Sequence, residues 1–207
     1  YVFINKFGNN SYYDAPMSIL DIDEKSIYIA YHEIGPKTIG ISKGEKINLK
    51  GPYWNGIIGE GKLSHIKDSR ILIIGRGIGQ SSIVIPINTL KKMNNEIVLF
   101  LDKGKTHSLY CLDYIKDKNL IVEEIDLSTK WGEKRVLDVI KRNSIDVVFS
   151  AGAEMVHRKI KSVLEKIEIL PKWFVTNNNI LCCGEGICGS CIRKTNSGDK
   201  IKTCKTV

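Results

Sequence analysis

Hydrophobic and polar positions divide the chain into three zones of different periodicity. The first zone, from residue 1 to about 66, contains short apolar runs separated by glycine, proline and asparagine, with one such turn at residues 8–10. The runs cover residues 1–4, 17–20, 26–31 and 46–49. Short strands separated by turn residues predict a small all-β unit, either a barrel or a sandwich.

The second zone, from residue 68 to about 176, alternates continuous apolar runs with helical spacing. The runs that predict strands are residues 71–74, 97–101, 120–125, 146–149 and 173–175. The apolar spacing predicts helices over residues 81–93, 131–142 and 154–165. Strands that are apolar on both faces and alternate with helices predict a parallel sheet covered on both sides.

Beyond residue 177 the periodicity ends, and glycine and cysteine dominate. We therefore predict an incomplete β-barrel over residues 1–66, an α/β parallel-sheet unit over residues 67–178 and a cysteine-rich segment over residues 179–207. The first zone is short for a closed barrel. Because an open barrel exposes edge strands, the missing strands are expected either outside this sequence or from another chain.

Composition and charge narrow the class of protein. The 207 residues are 43% hydrophobic and 26% charged, which is ordinary globular composition. No apolar run approaches the length of a membrane span and no secretory signal is visible, so a cytoplasmic protein is predicted. The net charge of +8 comes mostly from lysines spread along the chain. This spread favours an acidic protein surface or a phosphate-bearing cofactor over a nucleic-acid partner.

The cysteines point to metal chemistry, because five of the six lie in the last 26 residues. Four of them, Cys183, Cys188, Cys191 and Cys204, follow the spacing C-x4-C-x2-C…C, which is typical of a plant-type [2Fe–2S] cluster. Glycines at positions 184, 186 and 189 let such a loop curl around the cluster sulfurs. The alternative is a structural zinc site with four cysteine ligands.

Two further cysteines are predicted to lie outside the ligand set. Cys182 is one residue out of register, so it is either a bystander or an alternative to its neighbour. Cys111 stands alone between Tyr110 and Leu112, and we expect a buried or half-buried thiol there.

A glycine turn follows the first predicted strand of the α/β zone. Gly75, Gly77 and Gly79 stand between that strand and a predicted helix, an arrangement that presents backbone amides to a pyrophosphate. Glycines also occur where a strand simply packs tightly on a helix. Asp102 ends the next strand and is a candidate ribose-binding acid, whereas the lysines at 103 and 105 could accept a 2′-phosphate. Both NAD and NADP therefore remain open.

Several short motifs carry a resemblance to a known family. Residues 15–18 match a flavin-binding R-P-x-S/T segment without its arginine, and residues 35–38 match a G-x-G-T turn. Residues 51–56 are similar to a G-P-L-G-N-G stretch, and residues 75–82 to a G-G-G-I-G-x-A-P turn. Together with the cysteine loop, they resemble the electron-transfer subunit of class-B dihydroorotate dehydrogenase. They also resemble the small subunit of NADH-dependent ferredoxin:NADP oxidoreductase, in the ferredoxin–NADP reductase superfamily.

The resemblance implies three cofactors and a partner. It implies FAD near Pro16, Met17, Ser18, Tyr31, Gly35, Lys37 and Thr38. It implies NAD(P) at Gly75, Gly77, Gly79, Asp102 and Gly152, the last in the place of a C-G-P turn. The implied function is electron transfer between NAD(P)H, FAD, the [2Fe–2S] cluster and a larger dehydrogenase or oxidoreductase subunit in a hetero-oligomer.

Two other functions remain open at this point. One is a cluster-binding relay that has lost pyridine-nucleotide oxidation, and the other is a zinc-stabilised interaction domain. No catalytic side chains are predicted, because the four histidines are scattered and no Ser/His/Asp or paired-carboxylate group is apparent.

Overall fold

The computed structural model describes residues 1–6 and 14–206, so the turn predicted at residues 8–10 lies outside the described residues. The chain divides into two compact units. The first combines Tyr1–Ile58 with Asn177–Val207, and the second is Gly59–Thr176. The cysteine-rich segment therefore belongs to the same unit as the N-terminal strands.

Short strands form the N-terminal part of the first unit. They are β1 (Val2–Lys6), β2 (Ala15–Met17), β3 (Asp21–Ile22), β4 (Ile27–Tyr28) and β5 (Ile47–Lys50). β1 is the centre of an antiparallel sheet with the order β2-β1-β5, and β3 pairs with β4 as a separate hairpin. Among the described residues these strands do not close into a barrel, so the β character is confirmed and the incomplete barrel remains a prediction.

Alternation along β1 explains why the first unit has two small cores. Val2 and Ile4 point to one face, where they pack with Ala15. Phe3 points to the opposite face and packs against the C-terminal segment at Leu181. The second of these cores ties the two ends of the chain together.

A parallel sheet organises the second unit, as predicted. Its strands are β7 (Arg70–Arg76), β8 (Glu96–Asp102), β9 (Ile121–Glu124), β10 (Val147–Ala151) and β11 (Lys172–Thr176), while β6 (Ile57–Gly59) crosses the boundary between the two units. The order is β6-β11-β10-β7-β8-β9, and every pairing from β11 to β9 is parallel. The central strand β7 is buried along residues 71–74 because helices cover both faces of such a sheet.

Three helices accompany the sheet: α1 (Val84–Leu90), α2 (Lys130–Arg142) and α3 (Glu154–Leu164). α2 begins where the Thr129 hydroxyl accepts a hydrogen bond from the Gly132 N–H at 3.1 Å, which satisfies one of the free amides of the first turn. Apolar residues from α2 and α3 pack on Leu72, Ile74 and Phe100 of the sheet. In the described part of the chain no helix is long and apolar enough to span a bilayer.

The predicted helix over residues 81–93 is shorter than expected. A 3₁₀ helix over Gly77–Ser82 follows β7 directly, α1 has only seven residues, and a second 3₁₀ turn covers Lys91–Met93. The segment ends at Asn94, whose φ of 58° is left-handed. The glycine turn is thus continued by a tight 3₁₀ coil, and the α-helix starts several residues later.

A hairpin near the C-terminus was not predicted. β12 (Ile192–Lys194) and β13 (Lys200–Lys202) pair antiparallel, with Ile192 opposite Lys202. Both strands are short and largely exposed, so they lack the apolar alternation that identifies longer strands.

Candidate metal centre

The C-terminal hairpin brings two of the predicted ligands together. Cys191 immediately precedes β12, and Cys204 follows β13 by two residues. The intervening Thr203 fixes the pair, because its N–H and its hydroxyl both donate to the Cys191 carbonyl at 3.2 Å. The twelve residues between the two cysteines therefore form one hairpin.

The Cys191 and Cys204 thiols form a buried pair. Each residue is only 2% exposed, and the two thiols share a hydrogen bond. Burial, the hydrogen bond that the Cys204 thiol donates to the Cys191 sulfur and the charge of Cys191 together raise the pKa of Cys204 to about 11. Hydrogen bonds to Cys191 outweigh its burial, so its pKa is lowered.

The other two predicted ligands form a second pair on the loop itself. Backbone N–H groups of Cys188, Glu185 and Ile187 donate to the Cys183 sulfur, and the Glu185 nitrogen lies 3.3 Å from it. The Cys188 thiol also donates to the Cys183 sulfur. The Cys188 N–H is the largest cause that holds the pKa of Cys183 at about 6, against an opposing effect of burial. A loop whose amides converge on sulfur suits a thiolate ligand.

Glycine is required at the start of this loop. Gly184 has a φ of 71°, and a Cβ there would lie 2.8 Å from Phe3 Cε2 and 2.9 Å from Tyr53 Cε1. Left-handed φ values recur at Gly186 and Gly189. The predicted reason for these glycines, a loop that curls in a conformation unsuited to other residues, agrees with the backbone.

Three aromatic rings lie beneath the loop, and we call Tyr1, Phe3 and Tyr53 the aromatic floor. Tyr1 stacks on Tyr53 with ring centroids 5.2 Å apart, and Phe3 meets both rings edge-on. The floor packs against Leu181, Cys191 and Cys204. It therefore excludes water from the inner side of the cysteine site, while Cys188 stays exposed on the outer side.

Polar contacts attach the loop to β5 and to the following residues. Lys50 Nζ donates to the Cys183 carbonyl at 2.8 Å, and the Tyr53 hydroxyl donates to the Glu185 carboxylate. Lys205 lies 3.5 Å from the same carboxylate. Sequence analysis did not single out Lys50 and Glu185, because they lie more than 130 positions apart and no local pattern links them.

The four thiols thus stand as two pairs, Cys183 with Cys188 and Cys191 with Cys204, whose charges interact. In the residues that the structure describes, no three His, Cys, Asp or Glu side chains are grouped as a site for one metal ion. A [2Fe–2S] cluster with four cysteines takes two thiolates on each iron, so paired thiols are the donor set that it needs. The ligand assignment itself stays a prediction.

The glycine turn of the second unit is explained largely by packing. A Cβ at Gly79 would lie 2.5 Å from the Gly152 Cα, and one at Gly75 would lie 2.7 Å from Ile83 Cδ1. The turns after β7 and β10 therefore touch through their backbones. Of the three glycines in the turn, Gly77 has a left-handed φ, of 55°. The predicted pyrophosphate contact remains a prediction.

The Asp102 carboxylate accepts three hydrogen bonds from within the fold. It accepts from Arg76 Nη1 at 2.6 Å, from the Leu127 N–H at 2.8 Å and from the Gly104 N–H at 2.8 Å. The residue is 5% exposed. The three contacts give Asp102 a structural role, and its contact with a ribose remains a prediction.

Ala151 stands where the resembled family has its cysteine, and Ser150 precedes it. The Ser150 hydroxyl accepts from the Trp173 indole N–H at 3.1 Å and lies 3.0 Å from His157 Nδ1. Burial lowers the pKa of His157. Ser150 and His157 are both buried, so this Ser–His contact is part of the interior.

The residues predicted to hold flavin lie on β2 and in the loop after β4. Pro16 and Met17 are on β2, Ser18 follows that strand, and Tyr31 precedes the loop. Thr38 is buried, and its hydroxyl closes the turn by accepting from the Ile34 N–H at 3.1 Å. Lys37 Nζ lies 3.4 Å from the Asp14 carbonyl. Lys37 is the cationic residue of this turn.

No protein-family model matches the chain. The electron transfer subunit of dihydroorotate dehydrogenase B from Clostridium perfringens is 26% identical over 204 residues, 95% of this chain and 78% of that protein. The corresponding subunit from Streptococcus thermophilus is 27% identical, over 86% of this chain and 69% of that protein. A Pyrococcus furiosus relative is 27% identical, and the match spans only 57% of its length. The resemblance predicted from the motifs is therefore confirmed.

One solved structure shares the fold. It is the NADH-dependent reduced ferredoxin-NADP oxidoreductase, studied for flavin-based electron bifurcation. The TM-score is 0.74 at 19% identity, over 98% of this chain and 74% of that chain. The likeness supports the predicted combination of a β unit with a parallel-sheet unit.

Proposed function

We propose, from the similarity of this chain to electron transfer subunits of dihydroorotate dehydrogenase B, that it is the electron-transfer component of a larger oxidoreductase. The observation that carries the proposal is that four thiols stand as two pairs. Cys183 pairs with Cys188 on the glycine loop, and Cys191 pairs with Cys204 across the C-terminal hairpin. A [2Fe–2S] cluster bound there accepts and releases one electron at a time.

The chain's own residues give this site an inner and an outer side. Cys191, Cys204 and the aromatic floor form a dry inner wall, and Lys50 fixes the loop backbone through the Cys183 carbonyl. On the outer side Cys188 is exposed, and Ile187 is 83% exposed. Because electron transfer weakens steeply with distance, we expect the redox partner to approach from this outer side.

Flavin is the second part of the proposal. The fold neighbour is described for flavin-based chemistry, and residues 16–18 and 35–38 match flavin-binding motifs. Lys37 and the turn that Thr38 closes would hold the flavin phosphates, with Lys37 in place of the missing arginine. FAD supplies the conversion between hydride and single electrons, and NAD(P)H is the proposed hydride donor.

A second candidate, a relay without nicotinamide oxidation, is favoured by Asp102. Its carboxylate is occupied by Arg76 and by two backbone amides, so the usual ribose contact is not available without rearrangement. Anaerobic addition of NADH or NADPH to the FAD-loaded protein separates the candidates. Bleaching of the flavin band supports the first, and an unchanged band supports the relay.

Cofactor content tests the proposal directly. The full chain, purified without oxygen, is expected to contain about two iron, about two sulfide and, after incubation with FAD, about one flavin per chain. Visible absorption should show both the cluster and the flavin. Stoichiometric zinc with no sulfide would instead identify an interaction domain and would contradict the electron-transfer proposal.

Association with a larger subunit is expected to depend on salt. Residues 177–207 carry five basic and two acidic side chains, so the cluster side is positively charged and suits an acidic partner surface. Native, untagged protein should elute with a larger dehydrogenase, and raising salt from about 0.05 M to about 0.5 M should weaken the complex. Elution near 23 kDa with full turnover of a physiological substrate would contradict the subunit assignment.

A further inference from the structure

The two tyrosines of the aromatic floor differ in what their hydroxyls contact. The Tyr53 hydroxyl reaches the surface and donates to Glu185. The Tyr1 hydroxyl is buried, and among the described residues it has no hydrogen-bond partner. Among the described residues, Gln80 Oε1 is the only other buried side-chain oxygen or nitrogen without a hydrogen-bond partner.

Three predicted ligands surround the Tyr1 ring. Tyr1 packs in one cluster with Cys191 and Cys204, and its phenol feels the charges of both and of Cys183. The buried hydroxyl therefore lies on a ring that packs directly against two of the predicted ligands. It keeps its proton at neutral pH, so it is a donor that has no acceptor among the described residues.

A buried hydroxyl without a partner lowers stability, since its hydrogen bonds to water are lost and not replaced. Stacking on Tyr53 and packing on Phe3 need only the ring, which phenylalanine would supply equally well. The hydroxyl is accounted for if its acceptor arrives with the cluster, whose sulfurs are good acceptors.

We propose that the Tyr1 hydroxyl donates a hydrogen bond to a sulfur of the bound [2Fe–2S] cluster and raises its reduction potential. The inference rests on the proposed function, because it requires the cluster. Reduction adds one negative charge to the cluster, so a donor stabilises the reduced form more than the oxidised form. Tyr1 thus adjusts the reduction potential of the cluster and does not bind iron.

The test compares Tyr1→Phe with Tyr53→Phe in the full, cluster-loaded chain. Both remove one hydroxyl from neighbouring stacked rings, but the Tyr53 hydroxyl already donates to Glu185, whereas the Tyr1 hydroxyl has no partner among the described residues. Redox titration followed by electron paramagnetic resonance should show a lower potential in Tyr1→Phe. The expected change is a several-fold to tenfold smaller equilibrium constant for reduction, where tenfold corresponds to 59 mV for one electron. Tyr53→Phe should shift the potential by less than half as much.

The cluster-free protein provides a second measurement. Because the Tyr1 hydroxyl is unpaired without the cluster, Tyr1→Phe should unfold at the same or a higher temperature than the unmodified apo-protein, and Tyr53→Phe at a lower one. A marked loss of apo stability in Tyr1→Phe would overturn the inference.

The remaining outcomes separate this inference from the proposed function. Unmodified protein without iron and sulfide would contradict the proposed function itself. A loaded protein whose potential is the same in Tyr1→Phe, or shifts equally in Tyr53→Phe, would overturn only the role of Tyr1. A folded Tyr1→Phe protein that cannot hold the cluster would also overturn it, because the hydroxyl would then be needed for assembly.

Discussion

Cys188→Ala is expected to empty the metal centre while leaving the fold intact. The loaded chain should fall from about two iron to less than about a quarter of that amount, because one iron loses a thiolate and the cluster cannot be held by three. Cys188 is exposed, so the apo-protein should keep its unfolding temperature. Iron and sulfide analysis together with thermal unfolding of the same samples measures both.

Cys182→Ala is the matched control for this experiment. It removes a thiol one residue from a predicted ligand, on the same loop, and it should keep the full iron content. The Cys183 sulfur, unlike its neighbour, is predicted to be a ligand, and the loop amides of Glu185, Ile187 and Cys188 point at it. Loss of iron in Cys182→Ala with retention in Cys183→Ala would show that the ligand register is shifted by one residue.

Asp102→Asn is expected to have the largest effect on the stability of the second unit. The change removes the charge that lies 2.6 Å from Arg76 Nη1, leaves only the more exposed Asp126 at 3.9 Å, and weakens the contacts with two backbone amides. Breaking a buried ion pair from one side costs several kcal/mol, and Arg76 retains some exposure to water. We therefore expect a loss of about 3 kcal/mol in the free energy of unfolding, measured by urea denaturation.

The same two strands supply the control for Asp102. Arg76 faces Asp102 at one end of the β7–β8 pair, and Arg70 faces Glu96 at the other. The Arg70–Glu96 pair is exposed, with a separation of 3.2 Å, so Glu96→Gln should cost less than about 1 kcal/mol. If Asp102→Asn is equally mild, its carboxylate is not needed for the fold and is available to a ribose.

The sequence by itself determined the features that depend on local pattern. Strand and helix alternation over residues 68–176 follows from apolar spacing, and α2 and α3 begin and end within a residue of their predicted bounds. The cysteine spacing and the loop glycines predict the chemistry of the candidate site, because three of the four predicted ligands lie on one short loop and are close in sequence.

Only the tertiary structure decided what lies around that loop. The twelve residues before Cys204 form a hairpin of two short exposed strands, which no periodicity marks. Contacts from Lys50 to the Cys183 carbonyl, and from Tyr1 toward the thiols, join positions more than 130 residues apart. Such contacts depend on how the first strands pack against the last residues, and no local pattern in the sequence encodes that packing.

The tertiary structure also decided the structural roles of Asp102 and of the glycines in the α/β unit. Asp102 has the position of a ribose-binding acid in the sequence. In the structure Arg76 lies opposite it in the parallel register and donates a hydrogen bond to its carboxylate. Gly79 has the position of a phosphate-binding glycine, yet its lack of a side chain is needed for the approach of Gly152 from another strand. A residue type limits what a position can do, and its neighbours across the sheet determine which of those roles the folded chain uses.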